Sequence, residues 1–170
     1  FLKVFMYCME AKKKYSTQTS YYSTLSSLRK YDPLLDIRSF EDIDVAYLES
    51  YDKWMSDQGI RQNSRNVYYR NIRTVFNRAI DDEITTAYPF RKFKIKKEAT
   101  IKRSYTVEEL ARLFSFDAGY DNKYLDILKL SFYLIGINLV DLYGLKGIES
   151  GRVNYHREKT NRLYSIKVEK

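Results

Sequence analysis

The chain has 170 residues, 44% of them hydrophobic, with 17 Tyr and 9 Phe. That is enough for one ordinary domain or two small ones, and too apolar for a disordered chain. Six Gly and two Pro supply few turns, which disfavours an all-β protein and predicts a mainly α one. The single cysteine, Cys8, excludes an internal disulfide framework, and no apolar run approaches the roughly 18 residues of a membrane span, so a cytoplasmic, non-membrane protein is expected. The first residue is Phe rather than Met, and the chain is read as a piece of a longer one.

The net charge is +8, and its distribution matters more than its total. Between Asp36 and Asp57 seven acids face only Arg38 and Lys53. The next segment inverts this: Gln58 to Ile80 carries five arginines and no acid, and Ile84 to Arg103 carries seven bases against Glu98. Such sidedness suits a polyanion, because affinity for nucleic acid comes largely from displacing counterions condensed on phosphates. A solvated helix face would show the same run of charge. The cations between Arg61 and Arg103 are expected to form one continuous track.

The elements follow in order. Leu2, Phe5, Met6 and Met9 fall at helical spacing in a first helix running to about Lys14, with the three lysines 12–14 in its last turn. Ser16 or Thr17 can cap a second, which "YDP" ends near Tyr31 because the residue before Pro33 is pushed out of helical geometry. Asp42 or Asp44 can start a third, stopped by Gly59, and a fourth begins after Asn63 or Ser64.

On that fourth helix Tyr68, Ile72, Val75, Phe76 and Ala79 share one stripe, while Asn66, Arg70, Arg73 and Asn77 share another. One stripe packs and the other is free to meet a groove. Arginine and asparagine carry paired hydrogen-bonding groups that match guanine and adenine edges. The basic stretch after Tyr88 shows no amphipathic pattern and reads as a linker. Beyond it, Thr106 and Glu109 have the capping-box spacing, and "NKYLDILKLSFYLIG" predicts a longer, more buried helix ending at Gly136. Val153 and Tyr155 then alternate with polar residues, and Leu163, Ile166 and Val168 follow "EKTNR", as in a β-hairpin.

No glycine-rich phosphate loop, nucleophile elbow or Cys/His cluster is present, and His156 has no partner at a metal-ligand spacing, so a metal site is not expected. A basic helical half, a Lys/Arg linker, a "T-x-x-E-L" helix start, a helix ending in Gly ahead of an acid, and a hairpin carrying "K-T" occur here in the order found in the tyrosine recombinases, or phage integrases, which the whole chain resembles.

The resemblance implies a four-helix SAM-like core-binding bundle over residues 1–88, a basic linker over 89–104, and an incomplete α+β catalytic domain over 105–170. It also implies double-stranded DNA as partner, with the two halves clamping it from opposite sides, and self-association of the full-length protein on DNA. In the family a tyrosine attacks the scissile phosphodiester with no metal or nucleotide cofactor, while arginines and a lysine neutralise the developing charge.

Lys159 matches the family's hairpin lysine, and Asp141 its acid behind the active-site arginine. Asn138 stands where the first arginine belongs and carries no charge. The family's nucleophilic tyrosine lies beyond the hairpin, so this piece is expected to bind DNA without cutting it. Thr17, Thr19 and Tyr22 on the second helix, Asn66, Arg70 and Arg73 on the fourth, and Lys94, Lys96 and Lys97 in the linker are the expected DNA contacts, mostly to phosphate. The alternative is a non-enzymatic helical DNA-binding or protein-interaction module.

Overall fold

A computed structural model describes residues 1–96, 98–102, 104–117 and 119–168. The chain divides into two compact units, Phe1–Ile101 and Lys102–Lys170.

In the first unit, α1 (Leu2–Glu10), α2 (Tyr15–Tyr31), α3 (Val45–Asp57) and α4 (Gln62–Asp81) form the expected four-helix bundle. The core is aromatic and aliphatic: Phe5, Leu25, Leu28, Leu48, Tyr51, Met55, Tyr69, Ile72, Val75 and Phe76 are all buried. Helix α4 is the centre of this unit, packing against α1, α2 and α3.

Helix boundaries follow local chemistry. The Asp44 carboxylate accepts the Tyr47 N–H at 2.8 Å and starts α3, and Gly59 leaves it at φ +73°. Helix α1 is shorter than expected, ending at Glu10, so Lys12, Lys13 and Lys14 lie in the connection rather than in its last turn. Neither Ser16 nor Thr17 caps α2; both lie inside its first turn, which Lys14 precedes in extended conformation.

Buried polar contacts join the helices. Asn71 Nδ2 donates to Ser20 Oγ at 3.0 Å and Thr24 Oγ1 at 2.9 Å across α2 and α4, and the Tyr51 hydroxyl donates to Ser27 Oγ at 2.8 Å. After α4, Thr85 Oγ1 donates to Glu41 Oε1 at 2.7 Å, tying the exit to the segment before α3.

The stretch expected to be a free linker is partly core. Pro89–Arg91 form a single 3-10 turn that buries Phe90, and the Phe93 ring lies 4.8 Å from that of Tyr69. The reason is an alternation of period two in "KFKIK": Phe93 and Ile95 pack inward while Lys94 and Lys96 point out.

The second unit begins with α5 (Val107–Ser115), which carries the full capping box: Thr106 Oγ1 accepts the Glu109 N–H, and the Glu109 carboxylate accepts the Thr106 N–H. Next comes α6 (Asn122–Tyr133), which stops short of Gly136 and buries only Leu125 among its described side chains, so it is not the buried helix its composition suggests. Its apolar residues Leu128, Leu130 and Phe132 are exposed.

Packing in this unit concentrates further on. Leu134 and Ile137, ahead of the short α7 (Leu139–Tyr143), meet Val153 of β1 (Arg152–His156) and Ile166 of β2 (Leu163–Lys167). The strands pair antiparallel with Val153 opposite Ile166 and Tyr155 opposite Tyr164, whose rings stack at 5.3 Å.

Candidate nucleic-acid interface

The five arginines of the Arg61–Arg78 segment have different surroundings. Arg65 is buried: Nη2 donates to Gln62 Oε1 at 2.7 Å, Nη1 donates to the Asp52 carbonyl at 3.3 Å, and Nε lies 3.4 Å from Asp52 Oδ1. It braces α4 against α3. Arg78 is paired with Asp82 at 2.7 Å and lies over the Tyr7 ring. Arg70 and Arg73 are exposed, and among the described residues no carboxylate lies within ion-pair distance of either. Exposed Asn77 shares their stripe.

Asn66, expected on that open stripe, is not on it. Its side chain is 1% exposed, accepts from Gln62 Nε2 at 3.0 Å and donates to Asn63 Oδ1 at 3.5 Å. The extended segment after Phe93 runs past this end of α4, where Asn63 Nδ2 donates to the Glu98 carbonyl at 3.2 Å. The helical stripe is therefore open only from Arg70 onward.

Lys94 and Lys96 stand among acids rather than in an uninterrupted run of cations. With Lys92 they line a cleft of about 620 Å³ to which α3 contributes Glu49, Asp52 and Asp57 together with Lys53. Lys94 Nζ donates to the Arg91 carbonyl at 2.9 Å. Lys97 and Arg103 lie outside the described residues.

On α2, Thr19 and the 67% exposed Tyr22 share a shallow groove with Met9, Glu10, Tyr15 and Gln18. Thr19 Oγ1 donates to the Tyr15 carbonyl at 3.0 Å. Thr17 is half-buried and stands about 200° round the helix from Thr19, off that face.

Three tyrosine hydroxyls are fixed in the first unit. Burial, with the Asp52 carboxylate that accepts its hydrogen bond at 3.0 Å, pushes the Tyr69 hydroxyl far up; burial and Asp32 do the same to Tyr47. Burial also pushes Tyr51 well up, against its bond to Ser27.

In the second unit the structure joins two of the three expected catalytic positions. Asp141 is 7% exposed, and its Oδ1 accepts the Glu158 N–H at 2.8 Å, which fixes α7 to the turn carrying the exposed Lys159. That partner, 17 residues away, has no signature in the sequence. Asn138 precedes α7, is exposed and makes no capping hydrogen bond. Gly136 has φ +75°, and its N–H reaches the Ser131 carbonyl at 2.9 Å, turning the chain into position 138. Among the described residues no group of three or more His, Cys, Asp or Glu could hold a metal, and no helix is long and apolar enough to cross a membrane.

A family model described as the phage integrase SAM-like domain matches residues 1–95. Two solved structures superpose on 97% of the chain. A lambda integrase tetramer bound to a Holliday junction does so with a TM-score of 0.76 and 18% identity over 48% of its own length. A lambda integrase(75-356) dimer bound to a COC′ core site does so with a TM-score of 0.77 and 17% identity over 59%. At these identities the likeness is one of fold, and the chain spans about half the length of the integrase chains it matches. No curated protein sequence matches it.

Proposed function

The chain belongs to the phage integrase family of tyrosine recombinases, and on that premise we propose that it binds duplex DNA as part of a site-specific recombinase. The observation that carries this reading is the sorting of cations on α4. Arg65 and Arg78 are tied to aspartates, whereas Arg70 and Arg73 stand exposed on one face with no acid within ion-pair distance among the described residues. A guanidinium already neutralised by a carboxylate gains little from a phosphate; an unpaired one displaces a counterion and binds in a fork.

Tyr22 on α2 supplies a neutral phosphate donor, Thr19 does so where its hydroxyl turns from the Tyr15 carbonyl, and Thr17 is half-buried on another side of the helix. Lys94 and Lys96, with Lys97 beside them in sequence, add cations of longer reach. Strand exchange through a phosphotyrosyl intermediate is assigned to the whole recombinase, with Lys159 donating a proton to the leaving oxygen and Asp141 holding its turn in place. Self-association on DNA belongs to the same whole protein.

The test is duplex binding by Arg70→Ala and Arg73→Ala across a salt series. Each variant is expected to flatten the dependence of log K on log salt by about one unit, the counterion released by one phosphate contact. Wild-type slopes in both variants refute the assigned face. Absence of duplex binding by the parent chain at low salt favours a protein-interaction module instead.

A further inference from the structure

Position 138 leaves a question of charge, because Asn138 has none where phosphoryl chemistry needs it. The hairpin contains an answer. β1 places Val153 inward and buried, Asn154 outward, Tyr155 half-inward and His156 outward. The ladder does not stop at His156: the Arg157 N–H donates to the Arg162 carbonyl at 2.9 Å, so strand parity holds for one more residue. Arg157 therefore shares the face of Val153 and Tyr155, and it is half-buried like Tyr155.

That face packs on the segment around α7. Val153 meets Leu134 and Ile137, and Tyr155 packs against the same cluster. The residue after Arg157 is the one whose N–H binds Asp141, so the backbone at 157–158 is docked on α7 one helical turn from Asn138. Arg157 is fixed from its other side too: its carbonyl accepts the Thr160 N–H at 3.1 Å and the Asn161 N–H at 2.7 Å, closing the turn that presents Lys159. Burial, then the Asp141 carboxylate and Tyr164, push the Tyr155 hydroxyl up, and Arg157 opposes them. Yet Arg157 has no carboxylate at ion-pair distance among the described residues.

Resting on the DNA-binding reading above, we propose that Arg157 supplies the cationic phosphate contact that Asn138 cannot, so that Arg157, Asn138 and Lys159 share one phosphate of the duplex. The backbone links at Asp141 and Arg162 hold the three positions together, and Arg157 is the member with a fork of donors.

The test is duplex binding by the full chain, on a random-sequence duplex over a salt series, with Arg157→Gln, Asn138→Arg and the double variant. Arg157→Gln is expected to flatten the salt slope by about one unit. Asn138→Arg is expected to restore that unit in the Arg157→Gln background and to add much less than a unit in the parent, where the phosphate is already held. An arginine that only supports the fold gives no such coupling.

A wild-type slope in Arg157→Gln, alongside a flattened one in Arg70→Ala or Arg73→Ala, overturns this assignment and leaves DNA binding standing. No binding by the parent chain overturns both. If Arg157→Gln does not fold, Asn138→Arg alone decides: a slope steeper by a full unit means the position was unfilled and the assignment is wrong.

Discussion

Replacing Phe90 with Ala tests whether the basic stretch after α4 is structure or tether. Phe90 is 7% exposed, with its ring 5.9 Å from Phe76, 6.0 Å from Phe93 and 6.1 Å from Tyr88. Truncating a buried phenylalanine removes its transfer free energy and leaves a cavity, about 3–5 kcal/mol in sum. The lower end is expected here, about 3 kcal/mol, because the segment lies at the rim of the bundle and can settle inward.

A unit of this size has a total stability of roughly 5–15 kcal/mol, so the loss is a large share of it and lowers the melting temperature by about 12–24 °C. The assay is built into the chain. Trp54 is its only tryptophan and packs at 5.6 Å from Tyr31 and 6.0 Å from Tyr51, so its fluorescence in a urea titration reports the helical unit alone. A Phe90→Ala midpoint equivalent to less than about 0.5 kcal/mol would return residues 89–96 to the status of a linker.

Asp32→Asn probes the acid limb of the same transition. Burial raises the Asp32 carboxyl, but the Arg38 guanidinium at 2.9 Å, the Leu34 N–H at 3.0 Å and the Tyr47 hydroxyl at 3.2 Å outweigh it and hold it below the ordinary carboxylate value. Its stabilisation is then complete above the unfolded value near about pH 4 and lost as pH falls through the lower native one. The variant is expected to lose about 2 kcal/mol near neutrality, with the gap to the parent closing in strong acid; a gap unchanged with pH contradicts the account. Thr106→Ala removes the acceptor of the Glu109 N–H and is expected to cost α5 about 1 kcal/mol, read as about fivefold faster exchange of that amide.

Much of the fold was legible because its signals are local. Asp44 and Gly59 bound α3, Thr106 and Glu109 cap α5, and alternation around Val153 gave the hairpin, each from a few neighbouring residues. What escaped depends on chain segments meeting from afar. A helical projection of α4 puts Asn66 beside Arg70, but it cannot show that Glu98, 35 residues along the chain from Asn63, returns to bond at that end. Arg65 carries the same charge as Arg70, and only the approach of Asp52 from α3 makes it interior. The inward role of Phe93 and Ile95 was available as a period-two pattern, hidden by the lysines between them.

The exposed arginine face of α4 is set from inside the bundle. Arginines occur around much of this helix, so which of them reach solvent depends on its rotation about its own axis. Apolar contacts through Ile72, Val75 and Phe76 fix that rotation loosely, since they lack direction. Two directional contacts on different sides complete it: Asn71 bonds Ser20 and Thr24 on α2, and Tyr69 bonds Asp52 on α3. A shift of one residue turns the helix by about 100°, unmaking both and carrying Arg70 or Arg73 toward the core. The hydroxyls and amides buried between α2, α3 and α4 thus decide which guanidiniums face outward, and so bear on the proposed DNA contact without taking part in it.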